Sequence, residues 1–241
     1  MKLFVTDYDG TLFVNDKQMK STVKKLKKLR EHGFDVVIAT GRIITSITNQ
    51  TQIHNIPYDY IICADGSVIY DNNGNIIEKF CIKKDIIKPF EKFYQNLNYE
   101  EIQFTYPEYY SNILRDDNDN LLGINVCLST DNYKQDIVDQ FKIMSKDFPT
   151  YNFLDYMHPN FSYLCVKPKG VSKSFAINDL RKKKRILKKD VFVIGDAAND
   201  YEMIKDFKGV CVWDSTPDII KIAKKRYKNI NYFIDDILKE D

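Results

Sequence analysis

The sequence lacks the features that would mark a membrane or nucleic-acid-binding protein. No apolar run approaches the roughly 20 residues of a membrane-spanning helix. The opening MKLFVTDYDG has an apolar run too short for a signal peptide. Basic residues (36) nearly balance acidic ones (34), so the net charge of +2 gives no reason to expect nucleic acid or a membrane surface as a partner. The basic run at 181–185 closes a predicted helix, where cations favour the helix dipole.

Cysteine and histidine are scarce and scattered. The five cysteines form no C-x-x-C pair, and four lie in apolar, strand-like runs, so we expect reduced, buried thiols in a cytoplasmic protein. The three histidines lack the spacing of a zinc site. His158 and the tyrosines Tyr106, Tyr109 and Tyr110 could contact a substrate, although a packing role is the simpler interpretation.

The first third of the chain alternates apolar strands with amphipathic helices. Residues 2–6, 35–40 and 60–65 are apolar runs of strand length. The segments 18–32 and 43–54 between them are predicted helices, the first with apolar residues recurring every three or four positions. This alternation predicts a parallel sheet with helices on both faces.

The pattern changes after Asp65 and Gly66, where a predicted hairpin with an Asn/Gly turn begins. Predicted strands follow near 101–105, 111–115, 121–129 and 161–166, with helices near 85–97 and 132–146. The alternation then resumes with helices at 172–183 and 199–207 and strands at 190–196 and 209–214. We therefore predict an α/β fold, a Rossmann-like parallel core from 1–80 and 167–241 with an inserted α+β module from 81–166.

Four aspartates follow strands of the predicted core. Asp7 and Asp9 come directly after the first strand, and Asp196 and Asp200 come at and after a later one. Ligands of open parallel sheets bind outside the carboxyl ends of the strands, so we expect these acids at one edge. Carboxylates at this density suit Mg²⁺, whose charge offsets their mutual repulsion.

Other residues at the same edge suit a phosphate group. Thr40 and Gly41 lie at a strand-to-helix turn, where a hydroxyl and backbone N–H groups can bind an anion. Lys173 lies in the first turn of the helix that reopens the core and can act as a point charge on a phosphate. Carboxylates, a metal ion, a hydroxyl and an ammonium group together favour phosphoryl transfer.

Four motifs in fixed order resemble the haloacid dehalogenase (HAD) superfamily. They are DYDGTL at 7–12, ATGR at 39–42, KGVSKS at 169–174 and GDAAND at 195–200. The module inserted between the second and third motifs resembles the Cof-type subclass, which carries an α/β cap domain at this point. The resemblance implies the HAD fold and an aspartate-based phosphatase.

The resemblance also implies catalytic roles. Asp7 would be the nucleophile that becomes an aspartyl phosphate. Asp9 would protonate the leaving alcohol and then activate water. Thr40 and Lys173 would hold the phosphate.

A metal site and substrate contacts are implied in the same way. The ligands of Mg²⁺ would be Asp7, the backbone carbonyl of Asp9, and Asp196, with Asn199 and Asp200 as supporting partners of metal and water. Gly41, Arg42 and Asp65 are candidate substrate contacts, and a structural ion pair is an equal alternative for Arg42. Cof-type proteins often have asparagine where this chain has Asp65.

We therefore predict a cytoplasmic Mg²⁺-dependent phosphatase of a small phosphorylated metabolite, most simply a sugar phosphate. A hexose phosphomutase shares the aspartyl phosphate step and stays open as an alternative. A phospho-receiver module also places acids, threonine and lysine along a parallel sheet, although such modules are about half this length. We expect a monomer or a weak homodimer with no nucleic-acid or membrane partner.

Overall fold

The computed structural model describes residues 1–82, 99–115, 118–129, 150–154 and 161–240, together with Ile87, Lys92 and Gln95. The predicted helix at 132–146 lies outside the described residues, as do His158 and most of the predicted helix at 85–97. The chain divides into two compact units, Met1–Glu78 with Ser172–Asp241, and Lys79–Val171.

An eight-stranded sheet organises the first unit. Its strands are β1 (Lys2–Thr6), β2 (Phe34–Ala39), β3 (Tyr60–Cys63), β4 (Val68–Asp71), β5 (Ile76–Lys79), β11 (Val191–Gly195), β12 (Val210–Val212) and β13 (Arg226–Tyr227). They lie in the order β13-β12-β11-β1-β2-β3-β4-β5. Strands β13 to β3 run parallel, and β4 turns back antiparallel to β3. The predicted α/β fold with a parallel sheet is confirmed.

Six helices accompany these strands in the described part of the unit. They are α1 (Asp16–Glu31), α2 (Ile44–His54), α3 (Lys173–Lys183), α4 (Tyr201–Phe207), α5 (Pro217–Ile222) and α6 (Ile230–Glu240). Helix α1 begins because the Asn15 side chain accepts a hydrogen bond from the backbone N–H of Gln18. Strand β13 and helix α6 were not among the predicted elements. None of the helices in the described part of the chain combines the length and apolar character that a membrane span requires.

The central strand β1 is buried on both faces, as expected when helices cover both sides of a parallel sheet. Leu3 and Val5 belong to a core cluster with Ile177 of α3. Phe4 points to the other face and packs against Phe233 of α6, with 5.8 Å between ring centroids. Each such fully buried side chain contributes about 1.5–3 kcal/mol. This packing fixes the position of β1 in the sheet, and with it the position of the residues that follow the strand.

The second unit contains a five-stranded antiparallel sheet. Its strands are β6 (Glu101–Thr105), β7 (Tyr110–Ser111), β8 (Gly123–Ser129), β9 (Thr150–Leu154) and β10 (Phe161–Val166). They lie in the order β7-β6-β8-β10-β9. The strand predicted near 111–115 is present as β7 but ends at Ser111, because the chain turns after that residue. The Ser111 hydroxyl donates to the carbonyl of Ile113 and accepts from its N–H, which replaces the strand ladder with a local turn. The sequence prediction also missed strand β9.

All five cysteines are free thiols. Four are buried and Cys81 is half-buried. Burial raises the pKa of the Cys63 thiol, so this thiol stays protonated and packs as a small apolar group.

The loop after β3 lies against the start of α3. Ala64, Asp65 and Gly66 follow one another with φ angles of 48°, 53° and 108°. A Cβ atom at Gly66 would lie 2.2 Å from the carbonyl oxygen of Ser172, the residue that precedes α3. Glycine at position 66 therefore lets two backbones touch and sets where α3 begins.

We expect Gly66→Ala to lower the free energy of unfolding by about 3 kcal/mol or more. The substitution combines a left-handed backbone with a backbone clash that no side-chain rotation can relieve. Gly74→Ala is the matched control, because Gly74 has φ +83° and nothing within 4 Å of its Cβ position. Gly74→Ala should lower the free energy of unfolding by about 1–2 kcal/mol. If urea titrations show the same loss of unfolding free energy in both variants, the close approach at Gly66 does not contribute to the cost of its substitution.

Candidate active site

A buried lysine joins two buried aspartates at the carboxyl edge of the larger sheet. The Lys173 ammonium nitrogen lies 2.6 Å from Oδ1 of Asp7 and 2.7 Å from Oδ1 of Asp200. The side chains of Lys173 and Asp200 are fully buried, and that of Asp7 is 7% exposed. These residues are 166 and 27 positions from Lys173 in the sequence, so the fold brings them together.

Each of these residues is placed by the element that precedes or follows it. The backbone N–H of Asp7 donates to the carbonyl of Ile194, which extends the pairing of β1 with β11 by one residue. Lys173 is the first residue of α3, and Ser172 caps that helix by accepting from the N–H of Phe175. A cation at a helix N-terminus opposes the helix dipole. Lys173 is therefore stabilised by its two carboxylate partners and not by its helix.

A third carboxylate completes the cluster. Asp196 follows β11, and its carboxylate accepts a short hydrogen bond from the buried hydroxyl of Thr11. Asp200 fixes the same loop, because its Oδ2 accepts from the N–H groups of Asp196 and Ala197 at 2.9 and 3.1 Å. Oxygen atoms of Asp7, Asp196 and Asp200 all lie within 4.8 Å of one another.

The electrostatics of the cluster are unbalanced. Burial raises the pKa of Asp7 well above its ordinary value, Lys173 opposes this effect, and Asp200 and Asp196 reinforce it. Burial also raises the pKa of Asp196, from 3.8 to about 6. Burial alone would lower the pKa of Lys173, but the carboxylates of Asp200 and Asp7 raise it, so the ammonium stays charged. Three carboxylates thus share one ammonium group.

The donor set of this cluster fits a hard divalent cation. All three groups offer carboxylate oxygens, which Mg²⁺ prefers, and the described residues place no thiol or imidazole among them. One divalent charge would balance the two negative charges that Lys173 leaves unpaired. Asp7, Asp196 and Asp200 are therefore the residues that could hold such an ion.

The Asp9 side chain is not one of the three clustered carboxylates and is paired with Arg42. The role of the Asp9 backbone carbonyl as a metal ligand stays a prediction. The Arg42 guanidinium donates to both carboxylate oxygens of Asp9, at 2.8 and 2.6 Å. It also lies 5.2 Å from the centre of the buried Tyr8 ring and donates to the Ser46 hydroxyl. Arg42 therefore forms an ion pair with Asp9, which was one of its two predicted roles, and its contact with substrate stays a prediction.

Thr40 lies at the turn between β2 and α2. It is buried, and its hydroxyl oxygen accepts a hydrogen bond from the N–H of Arg42 at 3.2 Å. Its backbone carbonyl accepts from the N–H of Asp65. Helix α2 begins after Ile43, which offers no side-chain cap to the first N–H groups. This turn is where the sequence predicts a phosphate site.

Asp65 and Asn199 link two of the loops. The Asn199 amide nitrogen donates to Oδ1 of Asp65 at 3.0 Å. Asp65 also adds to the field that keeps Lys173 charged. The two residues are 134 positions apart and follow different strands, so this contact was not predicted from the sequence.

The family model for haloacid dehalogenase-like hydrolases matches residues 4–121 and 91–232. The chain belongs to the haloacid dehalogenase-like hydrolases. This membership confirms the resemblance drawn from the four motifs.

Relatives of this HAD-family chain include named phosphatases. A 5-amino-6-(5-phospho-D-ribitylamino)uracil phosphatase of Bacillus subtilis is 23% identical over 227 residues, covering 92% of this chain and 87% of the relative. A HAD phosphatase from Bacteroides thetaiotaomicron has a TM-score of 0.80 at 18% identity, covering 99% of this chain and 94% of that one. A haloacid dehalogenase-like hydrolase from B. subtilis also has a TM-score of 0.80, at 18% identity and 99% coverage of both chains. The family and its relatives support a phosphatase, and the structural likeness shows the HAD fold.

The HAD motifs thus meet at one edge of the sheet, and sequence reasoning missed some of their contacts. Asp7, Asp196, Asp200 and Lys173 form one cluster, whereas the Asp9 side chain pairs with Arg42. The hydroxyl of Thr11 had no predicted role although it lies inside the first motif. Its spacing of four residues from Asp7 was the available signal, but nothing in the sequence pointed from Thr11 to Asp196.

We expect Asp196→Asn to stabilise the metal-free protein at pH 7.5 by roughly 1–3 kcal/mol. The pKa of Asp196 is higher in the folded than in the unfolded state, so its ionisation costs folding stability as the pH rises from about 4 to about 6. Asparagine removes that cost and can still accept the Thr11 hydroxyl. The gain should shrink at pH 4.5. Urea unfolding in a chelator at both pH values measures the difference, and destabilisation at pH 7.5 would contradict the account.

Proposed function

We propose that this HAD-type phosphatase hydrolyses a small phosphorylated metabolite through a covalent aspartyl phosphate on Asp7, with Mg²⁺ as its cofactor. The observation that carries the proposal is the cluster of the buried Asp7 and Asp200 and the half-buried Asp196 around Lys173. Burying such a cluster costs the fold stability, and clusters of this kind occur mostly at functional sites.

In the first step, a carboxylate oxygen of Asp7 attacks phosphorus. A bond forms between Asp7 and phosphorus while the bond from phosphorus to the leaving oxygen breaks. Asp9 donates a proton to that oxygen, which departs as an alcohol. Because Arg42 donates to both oxygens of Asp9 in this structure, Asp9 must release at least one of those contacts and carry a proton on the freed oxygen before it can act as the acid; the second step returns that proton to it.

In the second step, water attacks the phosphorus of the aspartyl phosphate and Asp9 accepts its proton. Phosphate leaves and the Asp7 carboxylate is restored. Lys173 holds Asp7 in place through both steps and offsets the charge of the phosphoryl group. Bound Mg²⁺ would supply additional charge neutralisation, and Asp7, Asp196 and Asp200 are the residues that would hold it. Thr40 would donate its hydroxyl to a phosphate oxygen.

A phosphorylated sugar or sugar alcohol is the substrate class that we favour. The B. subtilis relative is named for a phosphorylated ribityl compound, which is a sugar alcohol chain joined to a base. At 23% identity this name supports the class of substrate for our chain and not the individual compound.

We expect Asp7→Asn to abolish Mg²⁺-dependent phosphate release from p-nitrophenyl phosphate, because the amide is a poor nucleophile.

Asp9→Asn should lower the rate on an alkyl phosphate such as a hexose phosphate by about 10²–10⁴-fold and affect the aryl phosphate less. Nitrophenolate leaves without needing a proton, which is the reason for the difference. The comparison uses kcat/KM for phosphate release from both substrates, because kcat/KM reports the first step and the second step is the same for both.

Three results would contradict this proposal in different ways. A fully active Asp7→Asn variant would exclude Asp7 as the nucleophile. Conversion of a hexose phosphate to its isomer without free phosphate would indicate a phosphomutase. A stable phosphoprotein that accumulates after treatment with an acyl phosphate would indicate a phospho-receiver.

We also expect Mg²⁺ to stabilise the wild-type protein. At 100 times its Kd and pH 7.5 the ion should raise the Tm by roughly 5–10 °C. The shift should be smaller at pH 5, where protons compete for the carboxylates. The Asp196→Asn variant should gain less than about 1 °C, since it lacks one ligand charge. An equal shift in the wild type and the variant would place the ion elsewhere.

A further inference from the structure

The loop that carries Asp65 is strained and held in place by its neighbours. Ala64 and Asp65 both have left-handed backbones, with φ angles of 48° and 53°, which residues with a Cβ rarely adopt. Their N–H groups donate to the carbonyls of Arg42 and Thr40, at 3.0 Å each. Strain of this kind persists only where surrounding contacts over-determine it, and it is most common at functional sites. The loop therefore holds Asp65 in a defined position.

The Asp65 carboxylate is confined on two sides. On one side, its Oδ1 accepts from the amide nitrogen of Asn199 at 3.0 Å. On the other, a Cβ atom at Gly41 would lie 3.0 Å from the same oxygen, so a larger residue at position 41 would press on it. The carboxylate thus fits into the space that Gly41 leaves and faces Asn199.

A carboxylate at this position decides the orientation of the Asn199 amide. An ionised carboxylate can only accept hydrogen bonds, so the NH₂ end of Asn199 must face it. The carbonyl end is then directed away from Asp65. An asparagine at position 65 could accept or donate and would therefore allow both orientations of Asn199.

We propose that Asp65 is a positioning residue. Its carboxylate binds the NH₂ end of Asn199, so that the carbonyl oxygen of Asn199 can bind the metal ion or a water molecule on that ion. The inference rests on the metal dependence in the proposed function. Asn199 stands one residue before Asp200 and three after Asp196, in the loop that carries two of the three clustered carboxylates. Partners that orient such groups change metal affinity by about 10–100-fold when they are removed.

The experiment measures the Kd of Mg²⁺ by calorimetry without substrate, in the wild type and a set of variants. We expect Asp65→Asn and Asn199→Ala each to weaken binding about tenfold. The double variant D65N/N199A should bind no more weakly than N199A, because Asp65 acts through Asn199. The exchange D65N/N199D should return to within about twofold of the wild type. It keeps the total charge and one hydrogen bond, and it offers a carboxylate oxygen at position 199.

Two controls separate this role from charge and from folding. Asp236→Asn removes one carboxylate from a surface pair with Lys225 and should leave the Kd unchanged. Gly41→Ala keeps every charge, but its Cβ atom would press on the Asp65 carboxylate. Introduced into the wild type, it should weaken Mg²⁺ binding. Introduced into N199A, it should cause no further loss of affinity. This variant carries the test if Asp65→Asn does not fold.

Unchanged affinity in Asp65→Asn would overturn the inference. Additive losses in D65N/N199A would also overturn it, because Asp65 would then act on the ion through its charge alone. In either case a wild type that binds Mg²⁺ and releases phosphate leaves the proposed function standing. A wild type that does neither would refute the proposed function itself.

Discussion

A cluster of three carboxylates, two buried and one half-buried, around one buried ammonium group is the constraint on which the rest of this structure depends. Lys173 contacts Asp7 and Asp200. A carboxylate oxygen of Asp196 lies within 4.8 Å of an oxygen of each of these two acids. Removing a charged group from water costs several kcal/mol, and one lysine cannot compensate for three acids. The fold stabilises this arrangement through the packing of its sheet and helices. A divalent ion and a phosphoryl group would use the charges that remain.

The topology explains how such distant residues meet. Strands β1 and β11 are neighbours in the sheet, so the residues that follow them, Asp7 and Asp196, emerge side by side. Helix α3 starts at the same edge because the loop at Gly66 lies against Ser172. Lys173 therefore reaches the two acids from a third segment. The same edge carries Thr40 and Asp65, which are joined by a backbone hydrogen bond.

The sequence predicted those features that depend on periodicity and on strand ends. Alternating strands and helices predicted the parallel sheet, and acids placed after strands predicted where they would gather. Contacts between loops could not be predicted in this way. The pairing of Asp65 with Asn199 depends on two left-handed residues, and no pattern in the sequence marks Ala64 as one of them. The strand predicted near 111–115 is shorter than expected for a related reason, since the Ser111 hydroxyl bonds to the backbone of Ile113 where the strand ends.

The central claim is that the clustered acids form one site for a divalent ion. Anomalous scattering from crystals grown with Mn²⁺ at pH 7.5 tests it most directly. The account predicts one strong peak within about 2.0–2.3 Å of carboxylate oxygens of both Asp7 and Asp196, with Lys173 still in contact with Asp7. A map with no peak at these residues, or an ion bound only at other acids, would contradict it.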